Sequence, residues 1–270
     1  MRPFWLEDAL FADGELAPAL QGQQKADVGI VGGGFTGLWT AIQLKQQNPA
    51  LDIAIIESDL CGAGASGRNG GCLLTWATKF FTLRRLFGET EAIRLVKASE
   101  AVVGHIGNFC REHKIDAEFR QDGTLYTATT KAQLGVLDPV LEELERQGIS
   151  SYHALPGAEV QRRSGSTRNL AGVFSPMAAT VHPGKLVRGL RRVALEMGIR
   201  IYERTPMLSF TPGVTVTLQT PAGSLQAGKM VLAINAWMAS RFPQFERTLA
   251  VVSSDMVITE KCPELLQSIG

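Results

Sequence analysis

The chain has 270 residues, enough to bury a substantial core and to hold one large domain or two small ones. Apolar residues make up 45% and charged residues 20%, and 27 Lys plus Arg stand against 26 Asp plus Glu for a net charge of +1. That balance argues against nucleic-acid or membrane-surface binding, which shows as a basic excess. No stretch reaches the roughly 18–20 continuous apolar residues of a membrane span.

The first residues, Met1-Arg2-Pro3-Phe4-Trp5-Leu6-Glu7-Asp8, place acids where a signal peptide needs an apolar run. The cysteines, Cys61, Cys72, Cys110 and Cys262, form no C-x-x-C pair and match neither a zinc site nor a disulfide framework. No metal is expected, and a reducing cytoplasm is the expected setting. Three basic pairs, Arg84-Arg85, Arg162-Arg163 and Arg191-Arg192, read as solvated faces.

In chain order, residues 1–25 read as irregular, an N-terminal extension. Residues 27–31 predict a short buried strand, and Gly32 to Gly37 a glycine-rich turn. Helical spacing then runs from Leu38 until Asn48-Pro49, and residues 52–56 predict a second strand ending at Glu57. Strand, helix and strand in about thirty residues make one βαβ unit. A second glycine-rich arm covers 62–71, and a long helix is predicted over 89–113. Residues 117–130 read as two strands about Asp122-Gly123, and 131–147 as an amphipathic helix. A helix over 184–197 follows His182-Pro183, then a strand from Ile199 to Tyr202. A hairpin turns at Pro221-Ala222-Gly223, residues 229–234 form a further buried strand, and 249–259 are rich in β-formers.

Gly32, Gly34 and Gly37 fit G-x-G-x-x-G between a strand and a helix, and Glu57 lies twenty residues beyond Gly37. In that context the first glycine permits the tight turn, the second lets backbone approach a pyrophosphate, and the third lets helix and strand pack closely. The helix N-terminus offers N–H groups and partial positive charge to phosphates. Glu57 can accept both hydroxyls of an unphosphorylated adenosine ribose. A glycine turn without a ligand is the plainer alternative. The motif by itself does not separate NAD from FAD. The arm at 62–71 does, because it lays backbone N–H groups and the Arg68 and Asn69 side chains along a ligand longer than ADP. FAD is therefore the expected cofactor, a flexible surface loop being the alternative for the arm.

At Val31-Gly32-Gly33-Gly34-Phe35-Thr36-Gly37, Glu57 and Ser66-Gly67-Arg68-Asn69-Gly70-Gly71 the chain resembles the D-amino-acid-oxidase-like superfamily of FAD-dependent oxidoreductases. Three later features agree: Val181-His182-Pro183 before a helix, the stretch from Tyr202 to Met207, and Leu232-Ala233-Ile234-Asn235-Ala236-Trp237. Within the superfamily the Ser66–Gly71 arm looks like that of γ-glutamylputrescine-oxidase relatives. The start Phe4-Trp5-Leu6-Glu7 and the stretch Thr75-Trp76-Ala77-Thr78-Lys79 look like aminophosphonate-associated oxidoreductases.

The resemblance implies an α/β fold: a Rossmann-like FAD-binding domain over 26–88 and 155–240, with an α+β substrate domain over 89–154 and 241–270. Its antiparallel sheet would be incomplete here, and the chain would be the N-terminal portion of a longer enzyme. The implied FAD contacts are Gly32, Gly34, Phe35, Thr36, Gly37, Glu57 and Ser58, then Gly64, Ala65, Ser66, Arg68, Asn69, Gly70 and Gly71, then Met207, Asn235 and Trp237. Trp76 and Lys79 are substrate-side candidates, against the plainer readings of packing and solvation. The implied reaction is oxidation of a primary or secondary amine, of aminophosphonate or γ-glutamyl-polyamine type, to an imine by hydride transfer to flavin. No catalytic acid or base is implied. His182 before Pro183 reads as shaping a helix start, and Cys61 as an inert buried thiol rather than a covalent flavin link. Two other readings stay open: a non-catalytic FAD-holding chain needing a companion that supplies the missing C-terminal segment, and a flavin-dependent tRNA-modifying enzyme, which the charge balance disfavours.

Overall fold

The computed structural model describes residues 2–13, 16–252 and 255–269. In chain order they form α1 (Phe4–Ala12), β1 (Gly22–Val31), α2 (Phe35–Gln47), β2 (Ile53–Ile56), β3 (Cys72–Leu73), α3 (Phe80–Phe87), α4 (Glu89–Glu112), β4 (Thr124–Ala128), α5 (Asp138–Arg146) and β5 (His153–Pro156). There follow α6 (Gly157–Ser164), β6 (Ala171–Ser175), β7 (Ala179–Thr180), α7 (Pro183–Glu196), β8 (Arg200–Tyr202), β9 (Ser209–Thr211), β10 (Val216–Thr220), β11 (Gly223–Leu232), α8 (Trp237–Arg241) and α9 (Pro263–Ile269). The chain divides into two units, one of residues 1–70, 113–117 and 182–256, the other of 71–112, 118–181 and 257–270. Segments 71–88 and 155–181, placed with the FAD-binding residues by the sequence, thus fall in the second unit.

The first unit is built on a six-stranded sheet in the order β8-β2-β1-β11-β10-β9. The first four strands are mutually parallel, and β10 and β9 continue the sheet antiparallel. Strand β1 is exposed in alternation over its first half and fully buried over Val28–Val31. The change falls where β2 joins, because Val28–Val31 is the only part of β1 that pairs with Ile53–Ile56. All four residues of β2 are buried, the continuous apolar run expected of a central parallel strand. The β11 strand pairs with β1 from Gly22 to Val31 and runs unbroken through Gly228. Two separate strands were expected here, and the long parallel ladder overrides the glycine that split them. Helix α7 packs against both α1 and α2.

A helix at residues 4–12 replaces the irregular N-terminus expected. Its partners are distant in sequence. Asp8 sits 3.1 Å from His182 Nε2, and the Trp5 and His182 rings meet edge to face at 4.8 Å. His182 is also the N-cap of α7, its Nδ1 accepting from Lys185 N at 3.1 Å. Beyond the helix, Asp13 Oδ2 accepts from Arg188 Nε at 2.8 Å. The centre of this region is Glu203, which is fully buried. Its Oε1 accepts from Cys61 N at 2.9 Å, Arg188 Nη1 at 3.0 Å and Arg191 Nε at 3.2 Å. Its Oε2 accepts from Ala17 N at 2.8 Å and Arg191 Nη2 at 3.3 Å. Arg191 is 2% exposed, so the solvated face expected of the Arg191-Arg192 pair holds for Arg192 alone.

Burial by itself would raise the Glu203 pKa, but the two backbone N–H groups and two guanidinium groups outweigh it and hold the carboxyl below its ordinary value of 4.5. A depressed folded-state pKa adds stability that is complete above the unfolded value and is lost as pH falls through the folded one. Acid unfolding of the native chain should therefore steepen below pH 4.5. Glu203→Gln should lose about 3–5 kcal/mol at neutral pH and show a flatter acid limb. Urea unfolding from pH 7 to pH 3 measures both. Parallel stability–pH curves for the two proteins would contradict this assignment.

The second unit carries the antiparallel sheet β4-β6-β5 and the small pair β3-β7. Its helices close on a core that includes Phe80, Val96 and Leu144. The long helix α4 matches expectation, but the hairpin expected at 117–130 does not form. Only 124–128 is a strand, and it pairs with β6 nearly fifty residues later. The helix expected at 131–147 is reduced to a 3-10 turn at Lys131–Gln133 and the nine residues of α5. Gly135, at φ +72°, and Pro139 in the first turn of α5 separate the two. Of the β-rich run 249–259, Ser253 and Ser254 lie outside the described residues, and the rest forms no strand. High β-propensity alone does not make a strand without a neighbour to accept its ladder bonds. Among the described residues no helix is long and apolar enough to cross a membrane, and no acid, histidine and cysteine cluster could hold a metal.

Candidate functional site

In the first unit a cavity of about 350 Å³ opens at the carboxyl ends of the parallel strands. Val31 at the end of β1, Ile56 at the end of β2 and Ala233 just past β11 all line it. Ligands of open α/β sheets bind at this edge, where strand ends and helix N-termini converge.

The turn after β1 is shaped by backbone contact. Gly32 has φ +112°, and a Cβ there would lie 2.5 Å from Ala233 O. A Cβ on Gly37 would lie 1.9 Å from Gly32 O, so only glycine lets α2 start against the strand it leaves. Gly34 is the N-cap residue of α2 and supplies no side-chain cap. The helix therefore presents first-turn N–H groups and its positive end toward the cavity. Phe35 N donates to Ser66 Oγ at 2.8 Å, which ties the arm to the helix start. That hydroxyl keeps its own proton to donate.

Glu57 follows β2. Its Oε2 accepts from Gly33 N at 2.8 Å, and its Oε1 accepts from Asp59 N and Ser58 Oγ, each at 3.0 Å. Two carboxylate oxygens offer about four lone-pair directions, so acceptor capacity remains for a ribose hydroxyl. The segment from Glu57 to Cys61 is stitched to the chain after β8 by Thr205 N to Glu57 O and Arg204 N to Asp59 O, both 2.7 Å.

Most of the residues picked out by sequence converge here. Gly32, Gly34, Phe35 and Thr36 line the cavity from the turn, as do Glu57 and Ser58 from the end of β2. Gly64, Ala65, Ser66 and Arg68 line it from the arm, and Met207, Asn235 and Trp237 from the later segments. Four others are not on its wall. Gly37 lies behind the turn, Asn69 donates to Ala65 O at 3.1 Å and Ser66 O at 3.0 Å, and Gly70 and Gly71 carry the chain out of the first unit. Asn69 thus shapes the arm instead of facing the cavity, because its amide is spent on the 3-10 turn at Ala65–Gly67. Trp76 and Lys79 belong to the second unit; both are exposed, and Trp76 N donates to Ser99 Oγ. Cys61 is fully buried, and burial pushes its thiol well above the ordinary range.

Several wall residues were not foreseen, among them Asp59, Thr205, Pro206 and Arg241. Arg241 and Arg68 are the cations of the lining, and Glu57 and Asp59 its anions. Asp59 and Arg241 carry no motif of their own. Thr205 and Pro206 lay inside a stretch read only for Met207.

A helix N-terminus behind a glycine turn, an acid closing the second strand and an arm beyond it define a dinucleotide-binding βαβ unit. The sequence matches the FAD dependent oxidoreductase family over residues 27–269, and the chain belongs to that family. FAD is the family's cofactor. Among relatives, a probable oxidoreductase OrdL of Rhizobium meliloti is 30% identical over 244 residues, 88% of this chain and 56% of the relative. The gamma-glutamylputrescine oxidoreductase of Escherichia coli is 26% identical, over 88% of this chain and 56% of that protein. The chain thus spans little more than half the length of these curated relatives. The crystal structure of glycine oxidase from Geobacillus kaustophilus superposes with a TM-score of 0.66 at 24% identity, covering 80% of this chain and 57% of that one. It supports the fold.

The residues present fit FAD. Gly34 brings its backbone to the cavity wall with no side chain over it, the α2 N-terminus and Arg68 suit a pyrophosphate, and Glu57 suits a ribose.

Proposed function

We propose that this chain holds the ADP half of FAD in the cavity and serves an oxidation of primary or secondary amines. The observation that carries the reading is the joining of Glu57, the α2 N-terminus and the Ser66–Arg68 arm in one cavity at the strand ends. FAD bound there would supply the hydride-accepting redox chemistry that no side chain can. The chain's own groups bind and orient. First-turn N–H groups of α2 and Arg68 would neutralise the pyrophosphate, Glu57 would accept from the ribose, and Trp237 would cover the arm near Gly64. No catalytic acid or base is assigned. The amine class is supported by the gamma-glutamylputrescine oxidoreductase among the relatives, and the four free cysteines suit a reducing cytoplasmic setting.

Anaerobic mixing of the FAD-loaded protein with a panel including 2-aminoethylphosphonate and γ-glutamylputrescine should bleach the flavin with at least one amine. Reduction by hydroxy acids or NADPH alone would refute the amine reading. A second reading is a FAD-holding chain that turns over only with a companion segment. Supplying the remaining segment of a relative, in cis or in trans, should then raise both FAD affinity and turnover. Unchanged values would dismiss it.

A further inference from the structure

Three consecutive tethers hold the loop after β2 to the chain after β8. Thr205 N donates to Glu57 O, Arg204 N to Asp59 O, and Cys61 N to Glu203 Oε1. The first two are backbone pairs that any sequence could make. The third depends on one side chain, the buried carboxylate of Glu203. Thr205 continues the link outward, its hydroxyl donating to Glu203 O and accepting from Leu20 N, each at 3.0 Å. The other oxygen of Glu203 accepts from Ala17 N. One carboxylate thus holds the cavity loop and the N-terminal segment together, while Arg188 and Arg191 balance its charge.

Such an arrangement is not explained by stability alone. Removing charges from water is costly, and well-packed apolar residues of similar volume often replace a buried ion group without loss. What an apolar side chain cannot do is accept two backbone N–H groups from segments far apart in sequence. At this position one N–H belongs to a residue between Asp59 and Gly62, both on the cavity wall.

We propose that Glu203 is a positioning residue for the ADP half of FAD. It sets the 57–62 loop, and with it the Glu57 carboxylate, and makes the segment at Ala17 part of the cofactor site. The proposal rests on the reading of this cavity as the FAD site. Glu203 does not line the cavity and acts through Cys61 N and Glu57.

Two variants of the 270-residue chain test it. Glu203→Asp keeps the charge that Arg188 and Arg191 need, but its shorter side chain cannot reach Cys61 N and Ala17 N together. In the double variant Glu203→Gln with Arg191→Met, the cation left without a counter-charge is removed along with it. Amide exchange at Cys61 and Ala17 is read on ligand-free protein, and ADP and FAD dissociation constants by titration. Both variants should remain folded at about 25 °C, though less stable than the native chain, exchange faster at Cys61, and bind ADP and FAD about tenfold more weakly. Native ADP affinity in either folded variant, or unchanged exchange at Cys61, would overturn the proposal. If neither ADP nor FAD binds the native chain, the cavity reading itself fails and takes this proposal with it. Native binding with indifferent variants defeats the proposal alone.

Discussion

Gly37→Val is expected to abolish the folded first unit. The added Cβ would lie 1.9 Å from Gly32 O, 3.1 Å from Gly32 C and 3.3 Å from Ile30 Cγ2. The first two are backbone atoms of the turn, so no rotamer change relieves the contact. Relief needs α2 to lift from β1, which would break its packing against the sheet through the buried Leu38, Ala41 and Ile42. Ordinary overpacking costs about 1–3 kcal/mol, and a clash against backbone exceeds that. With a total stability on the order of 5–15 kcal/mol, a loss above about 4 kcal/mol leaves a large unfolded population at physiological temperature. Thermal and urea melts followed by far-UV circular dichroism would show it. A melting temperature within a few degrees of native would mean the turn is looser than its geometry implies.

Gly34→Val should fail in the opposite manner, keeping the fold and losing the cofactor. Gly34 has φ −87° and ψ −174°, a region that valine occupies readily. A Cβ there would meet only Ser66 Oγ, at 2.8 Å, and the next atom is at 3.8 Å. A hydroxyl can rotate aside, losing its bond from Phe35 N at a cost of about 0.5–2 kcal/mol, typical of a lost helix cap. The branched side chain would then stand over the helix N-terminus, where a pyrophosphate must touch backbone. FAD affinity should fall by at least about a hundredfold, equivalent to about 2.7 kcal/mol, with secondary structure intact. Native retention of flavin by this variant would place the phosphates elsewhere.

The contrast between these two glycines was readable from spacing, since G-x-G-x-x-G between a strand and a helix assigns one to the ligand and one to packing. The βαβ unit and the long helix α4 were readable for a similar reason: their signals are local and periodic. What escaped was set by contacts across long sequence distances. Helix α1 owes its place to His182 and Arg188, more than 170 residues away. The burial of Arg191 depends on Glu203, which has no pattern of its own. Strand β11 is continuous only because β1 lies beside it through Gly228. The same limit applies to the site. The turn, the acid and the arm follow one another along the chain. Asp59, Thr205 and Arg241 reach the cavity through tertiary placement, and Asn69 was read as an FAD contact because its bonds to Ala65 and Ser66 are a property of the folded arm.

The measurement that tests the central claim most directly is a titration of the purified chain with FAD, ADP and NAD, followed by flavin and protein fluorescence. The cavity, with an acid for an unphosphorylated ribose and an arm beyond the ADP half, predicts saturable FAD binding that ADP displaces and that is tighter than the binding of NAD. Tight binding of NAD with no uptake of FAD would contradict it.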